Sequence, residues 1–320
     1  MLKVALTRRW PEAVEAQLAA EFSLQRNVDD EQLTTQQLQQ LMTQADVLGV
    51  TVTDQIDARV LNVADRRIGL LANFGVGFNH IDVDAARSLG VKVSNTPGVL
   101  TDCTADLAIT LLLMCARRAG EGERELRAGH WSGWRPTHLL GTRVTGKTLG
   151  IVGAGRIGLA TARRAHFGFG MKILLNARSR IDKAVLADLS AQQVDLEEML
   201  AAADFVSLHC PSSPETHHLL NATRLGLMKP TGILINTARG DVIDESALTR
   251  ALSEGQITAA GLDVYEREPV VPPQLLACNN LVALPHLGSG TVETRMAMGM
   301  RAVQNIRAFA AGTSLPDLLT

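Results

Sequence analysis

At 320 residues, with 46% hydrophobic and 20% charged side chains, the chain can bury a sizeable core, divides into two domains, and is not disordered. A formal net charge of −2 and the lack of a basic tract argue against a nucleic-acid partner. The N-terminal MLKVALTRRW holds too short an apolar run for a signal peptide, and Leu107 to Ala116 is too short to span a bilayer; a cytoplasmic protein with no membrane partner is expected. Cys103, Cys115, Cys210 and Cys278 lie far apart with no C-x-x-C, which reads as buried free thiols.

Taken in order, Leu2 to Leu6 reads as a strand, Pro11 to Ala20 as a helix and Phe22 to Arg26 as a strand. Thr34 to Met42 is an amphipathic helix with Leu38, Leu41 and Met42 on one face. Strand Val47–Val52, helix Asp57–Asn62, strand Ile68–Ala72, a glycine-rich turn at Phe74–Gly77, helix Asp84–Leu89 and strand Val91–Val93 complete a first set of βα units on a parallel sheet. Asn95-Thr96-Pro97-Gly98 breaks the pattern as a hinge. A long apolar helix, about Asp102 to Arg118, is followed by a loop from Gly120 to Gly146 that carries Trp131 and Trp134.

The next stretch carries the most specific signal. A short apolar strand ending at Val152 runs into Gly153-Ala154-Gly155-Arg156-Ile157-Gly158, then a helix from Leu159 to His166 stopped by Gly168 and Gly170, then a second strand, Met171–Leu175. G-x-G-x-x-G between a strand and a helix is a dinucleotide-binding turn: Gly153 permits the tight turn, Gly155 lets backbone approach a pyrophosphate, and Gly158 lets the helix pack on the strand. At the end of the second strand, where an acid would accept the ribose hydroxyls of NAD, the chain reads Asn176-Ala177-Arg178-Ser179-Arg180. Two guanidiniums and a hydroxyl suit a 2′-phosphate, so NADP(H) is expected in preference to NAD(H).

Alternation continues through strands Phe205–Leu208, Ile233–Asn236, Ala260–Val264 and Leu281–Leu284, helix Glu245–Ser253, and a last helix, Thr291–Ala311. That helix is expected to return to the first domain and leave a cleft between the two. The expected domains are 1–98 with 288–320 for substrate and 99–287 for NAD(P), with loop 120–146 a dimerisation element. Arg239, Glu268 and His286 each follow a strand, at the edge where α/β ligands bind, and can form a general-acid site with a carboxylate clamp. His217-His218 with Cys210 suggests a metal, but adjacent histidines do not easily aim at one ion, and a loop is the better reading.

The segments GVGFNHID, NTPG, GAGRIG, NTARGDVIDE, GLDVYEREP and LPHLGSGT, in that order along the whole chain, resemble the D-isomer-specific 2-hydroxyacid dehydrogenase family. Trp134-Arg135-Pro136 and the Asn176–Arg180 segment are most similar to its glyoxylate/hydroxypyruvate reductases. The resemblance implies two Rossmann-like α/β domains, one flavodoxin-like and one dinucleotide-binding, and a homodimer. It makes Arg239 the clamp on the substrate carboxylate, His286 the acid that protonates the oxo oxygen, and Glu268 the partner that favours imidazolium. It places the Val76 and Gly77 amides and Asn95 around the substrate, with Trp134 reaching across the dimer; Val52, in the loop Val50-Thr51-Val52 that ends a strand facing the cleft, is expected to shape the pocket. Around the cofactor it adds Thr104, Arg156, Ile157, Cys210, Pro211, Thr216, Thr237, Ala238, Asp263 and Gly288, with Asp263 on the nicotinamide carboxamide and Cys210 a small lining residue, not a nucleophile. Alternatives that keep the fold are a 2-ketogluconate reductase, a D-lactate-type dehydrogenase, or a dinucleotide-sensing binding protein.

Overall fold

The computed structural model describes residues 1–319, and the chain divides into two units, Met1–Leu100 with Gly290–Thr320, and Thr101–Ser289. In the first, β1 (Lys3–Leu6), α1 (Glu12–Glu21), β2 (Ser23–Gln25), α2 (Thr35–Gln44), β3 (Val47–Val50), α3 (Ala58–Leu61), β4 (Leu70–Asn73), α4 (Val83–Ser88) and β5 (Lys92–Ser94) follow one another. The strands pair in parallel in the order β2-β1-β3-β4-β5. Strands β3 and β4 are buried along their whole length, as near-continuous apolar runs are when both faces of a sheet are covered. Helix α2 starts where Thr34 and Gln37 close a capping box, and turns Leu38, Leu41 and Met42 inward.

The second unit runs α5 (Thr101–Ala116), α6 (Ala119–Arg127), β6 (Thr148–Val152), α7 (Arg156–Phe169), β7 (Lys172–Asn176), α8 (Lys183–Asp188), β8 (Gln192–Gln193) and α9 (Leu196–Ala202). It continues with β9 (Phe205–Leu208), α10 (Ala222–Leu225), β10 (Ile233–Asn236), α11 (Glu245–Ser253), β11 (Ala259–Leu262), α12 (Pro273–Leu276) and β12 (Leu281–Ala283). All seven strands are parallel, in the order β12-β11-β10-β9-β6-β7-β8. Alternation along each strand sorts the core onto two faces: Ile233 and Ile235 pack with Leu149 and Ile151, while Leu234 packs with Val206 and Leu208. The last helix, α13 (Val292–Ala310), belongs to the first unit, where a Cβ on Gly299 would lie 2.6 Å from Val14 of α1; glycine lets the two helices close.

Four readings of the sequence change. The stretch expected as loop from Gly120 to Gly146 opens with α6, which buries none of its side chains. Elements α8, β8 and α9 fill a stretch the sequence left without structure. Gly168 does not stop α7; it is exposed within the helix, which ends at left-handed Gly170 (φ 59°). All four thiols are free, but only Cys115 and Cys210 are buried, with Cys103 and Cys278 partly exposed. No helix among the described residues is long and apolar enough to cross a membrane.

Candidate active site

The parallel register aligns the carboxyl ends of the second sheet. Val152 pairs with both Asn176 and Leu208, Asn236 with both Leu208 and Leu262, and Leu262 with Ala283. Chain leaving these strands at Gly153, Ala177, His209, Thr237, Asp263 and Leu284 therefore emerges along one edge. Strand β6 lies between β7 and β9, so the strand order reverses there, the point where open α/β sheets bind ligands.

Glycine is required at that turn for two separate reasons. At Gly153 (φ 95°) a Cβ would sit 2.6 Å from the Cys210 amide nitrogen, and at Gly158 one would sit 2.2 Å from the Gly153 carbonyl oxygen. Gly155 differs: a Cβ there would meet nothing within 4 Å, which leaves room for a ligand directly at the start of α7. Arg156 is exposed and Ile157 half-buried in the first turn of that helix. Along the same edge, Thr237 Oγ1 is buried with no partner. An open glycine at a helix start and an orphaned buried hydroxyl fit a dinucleotide.

After β7, Arg178, Ser179 and Arg180 are exposed, and Gln193 Nε2 donates to the Ser179 carbonyl at 2.9 Å. Past β9, burial pushes the Cys210 thiol up to about 11, so it is no nucleophile at neutral pH. Thr216 Oγ1 donates to the Pro211 carbonyl at 2.7 Å and accepts from the Ser213 amide at 2.8 Å, which closes the segment on itself.

Three segments converge around an acid, a histidine and an arginine. Past β12, His286 adopts a left-handed conformation (φ 55°), and its Nδ1 lies 2.7 Å from Glu268 Oε2. The other carboxylate oxygen of Glu268 accepts from the Tyr265 amide at 2.9 Å. Burial pushes the Glu268 carboxyl up, but the hydrogen bond and charge of His286, the Tyr265 amide and Arg239 together hold it below its ordinary value. With Nδ1 engaged by a carboxylate, Nε2 is the nitrogen left to meet a ligand. His209, at the same edge, is no substitute: its Nδ1 is buried without a partner, and desolvation drags that histidine down to about 3.

Arg239 is placed by Asn236, whose side chain donates to the Arg239 carbonyl at 2.8 Å and accepts from the Ala238 amide at 3.0 Å. A Cβ on Gly240 would lie 1.8 Å from the Tyr265 carbonyl carbon, so only glycine lets this turn close on the segment that carries Glu268. Burial lowers the half-buried guanidinium's pKa, against Glu268 and Asp241, which raise it. Asp263 has local work that sequence spacing did not reveal. Its carboxylate accepts from the Leu287 amide at 2.6 Å and the Gly288 amide at 2.7 Å, and the Thr104 hydroxyl donates to the Gly288 carbonyl at 3.0 Å. These bonds fix the loop that presents His286.

The remaining expected residues lie elsewhere. In the first unit, Asn95 Nδ2 donates to the Val76 carbonyl at 2.9 Å and Asn73 Nδ2 to the Gly77 carbonyl at 3.0 Å, so what this turn can offer a ligand is its amides. Val52 is half-buried in a loop held by Asp54, which accepts from Thr7 Oγ1 at 2.5 Å and the Thr51 amide at 2.7 Å. Trp134 stands 82% exposed beyond α6.

A doubly wound parallel sheet with a glycine-rich turn at its switch point, and a histidine–carboxylate pair and an arginine on the same edge, defines a nicotinamide-dinucleotide-dependent oxidoreductase. Residues 109–288 match the family model of the D-isomer specific 2-hydroxyacid dehydrogenase NAD-binding domain. The chain is 43% identical over 321 residues to the glyoxylate reductase of Thermococcus litoralis, covering 99% of this chain and 96% of that one. Among solved structures, a D-isomer specific 2-hydroxyacid dehydrogenase from a Polaromonas species superposes with a TM-score of 0.93 at 39% identity, covering both chains completely. The NADPH-dependent glyoxylate/hydroxypyruvate reductase of Sinorhizobium meliloti, solved with NADP and malonate, gives 0.88 at 33% identity over 100% of this chain and 97% of that one. The chain belongs to the D-isomer-specific 2-hydroxyacid dehydrogenase family.

Proposed function

We propose that the protein reduces glyoxylate and hydroxypyruvate to the corresponding 2-hydroxyacids with NADPH, His286 serving as general acid. The single observation that carries this reading is the His286–Glu268 pair, 2.7 Å apart at the edge that bears the glycine-rich turn. The names of the Thermococcus litoralis and Sinorhizobium meliloti relatives supply the substrate class.

When bound, the reduced dinucleotide supplies the hydride that adds to the oxo carbon. Gly153, Gly155 and Gly158 shape its cradle, and the Gly155 amide at the start of α7 is a donor for its phosphates, with the Thr237 hydroxyl a further donor to the dinucleotide along the same sheet edge. His286 passes a proton from Nε2 to the oxo oxygen as negative charge develops there, and Glu268 holds the ring and stabilises its charged form. Arg239 offers a planar fork to the substrate carboxylate and polarises the oxo oxygen. In the first unit, the amides of Val76 and Gly77, with Asn95, are donors suited to a carboxylate. Arg178, Ser179 and Arg180 follow β7 with no acid among residues 176–180, which supports NADPH over NADH.

Leu126, Trp131, Trp134 and Leu140 are 61%, 52%, 82% and 66% exposed, an apolar concentration that supports a homodimer through this segment. The test of the whole reading is steady-state reduction of glyoxylate, hydroxypyruvate and 2-ketogluconate, each with NADPH and with NADH. Faster turnover of the two small acids with NADPH is expected. Preference for 2-ketogluconate would overturn the substrate assignment, and tight dinucleotide binding without turnover would overturn the enzyme reading itself.

A further inference from the structure

Where Cys210 was weighed as the companion of the paired histidines, the structure brings in Glu266 instead. The side-chain ligand atoms of His217, His218 and Glu266 all lie within 4.8 Å of one another. The reason is local backbone. His218 takes a left-handed conformation (φ 49°), and the two imidazoles, instead of splaying apart, stack with centroids 4.0 Å apart and planes 22° from parallel. Glu266 Oε1 then lies 3.3 Å from His218 Nε2.

We propose that His217, His218 and Glu266 form a binding site for a borderline-soft divalent cation of the zinc class. Two imidazoles and one carboxylate are the donor types zinc takes, and two nitrogens on one tetrahedral ion sit about 3.3 Å apart, given bonds of about 2.0–2.1 Å. Because an imidazole binds a metal in its own ring plane, the two rings must rotate out of their near-parallel stack for both lone pairs to meet one ion, a side-chain rotation that leaves the backbone where it is. The backbone is already tied on both sides: the His218 amide donates to the Asp241 carbonyl at 2.8 Å, and the Glu266 amide to Glu245 Oε1 at 2.8 Å. Asp244 lies close enough to feel the charge of His218 and adds negative potential. The side chains of His218 and Glu266 are 34% and 25% exposed, so an ion can reach them, and His217 is more open still.

Bound there, the cation would tie the segment holding Pro211 and Thr216 to the one holding Glu268. That consequence rests on the function proposed above; binding itself does not. The experiment is titration of Zn²⁺ into the chelator-treated full-length protein by calorimetry, alongside His217→Ala and Glu266→Gln. One saturable zinc per chain is expected, weakened at least about tenfold in each variant, since even outer-shell changes cost that much. Melting temperature and zinc-free turnover of His217→Ala should match the parent. Absence of saturable binding, or equal affinity in parent and variants, overturns the site. Saturating zinc should slow glyoxylate turnover by the parent and spare His217→Ala; equal inhibition of both would overturn the link to Thr216 and Glu268.

Discussion

Replacing Glu268 by glutamine changes almost no volume and removes one charge, so its effect can be worked from two hydrogen bonds. In the parent, one carboxylate oxygen accepts from His286 Nδ1 and the other from the Tyr265 amide. Glutamine has a single oxygen and an NH₂ group that only donates. If the oxygen faces Tyr265, the NH₂ confronts His286 Nδ1; if it faces His286, the Tyr265 amide is orphaned. Either way a charge-assisted bond is lost, worth roughly 1.5–3 kcal/mol. At about 1.4 kcal/mol per decade, kcat for glyoxylate reduction should fall between about tenfold and about 150-fold. The dissociation constant for NADPH should stay within about twofold, because Glu268 holds the histidine and not the dinucleotide. Steady-state turnover with dinucleotide binding measured by fluorescence separates the two effects. An unchanged kcat, or a loss confined to KM, would refute the reasoning.

The same carboxylate gives stability a pH dependence of fixed sign. Its folded pKa lies below the ordinary 4.5, so its contribution is present above that value and disappears as pH falls through the depressed one; the melting-temperature advantage of parent over Glu268→Gln should shrink along that path. Arg178→Ala should weaken NADPH by about tenfold or more and leave NADH nearly unchanged, measured as separate dissociation constants; equal losses would remove the 2′-phosphate role. Gly155→Ala and Gly240→Ala should part company, since a Cβ meets nothing within 4 Å at the first and lies 1.8 Å from backbone at the second. The first should keep its melting temperature and lose dinucleotide affinity, and the second should unfold earlier by about 1–3 kcal/mol or more; the reverse pattern in thermal and binding assays would show the turn misread. If the proposed homodimer forms through this segment, Trp134→Ala with Trp131→Ala should shift the mass from dimer toward monomer in light scattering after gel filtration, and an equal mass for parent and variant would overturn that role for the tryptophans.

Both sheets were legible because buried parallel strands leave short apolar runs between glycine-rich turns, as in ILIN of β10 and LLAN of β4. What stayed hidden has physical causes. Helix α6 buries no side chain and α8 packs only the partly buried Val185 and Leu186 on the core, so neither sequence carries a full core stripe, and β8 is two glutamines at the sheet edge. Gly168 misled because it faces solvent, where a glycine weakens a helix without ending it. At the site, residue type and position after a strand singled out Arg239, Glu268 and His286. The tasks of Asp263 and Gly240 could not be read that way. One binds amides 24 and 25 residues downstream, and the other is forced by the Tyr265 backbone, and neither contact leaves a local pattern. The stacking of His217 on His218 likewise depends on one left-handed φ that histidine itself does not announce.

The most direct test of the central claim is single-turnover reduction of glyoxylate by His286→Asn, with NADPH prebound and its affinity measured in parallel. Hydride transfer slowed by about a hundredfold to ten-thousandfold, with dinucleotide affinity unchanged, is the result expected of a lost general acid. A transfer rate equal to that of the parent would contradict it.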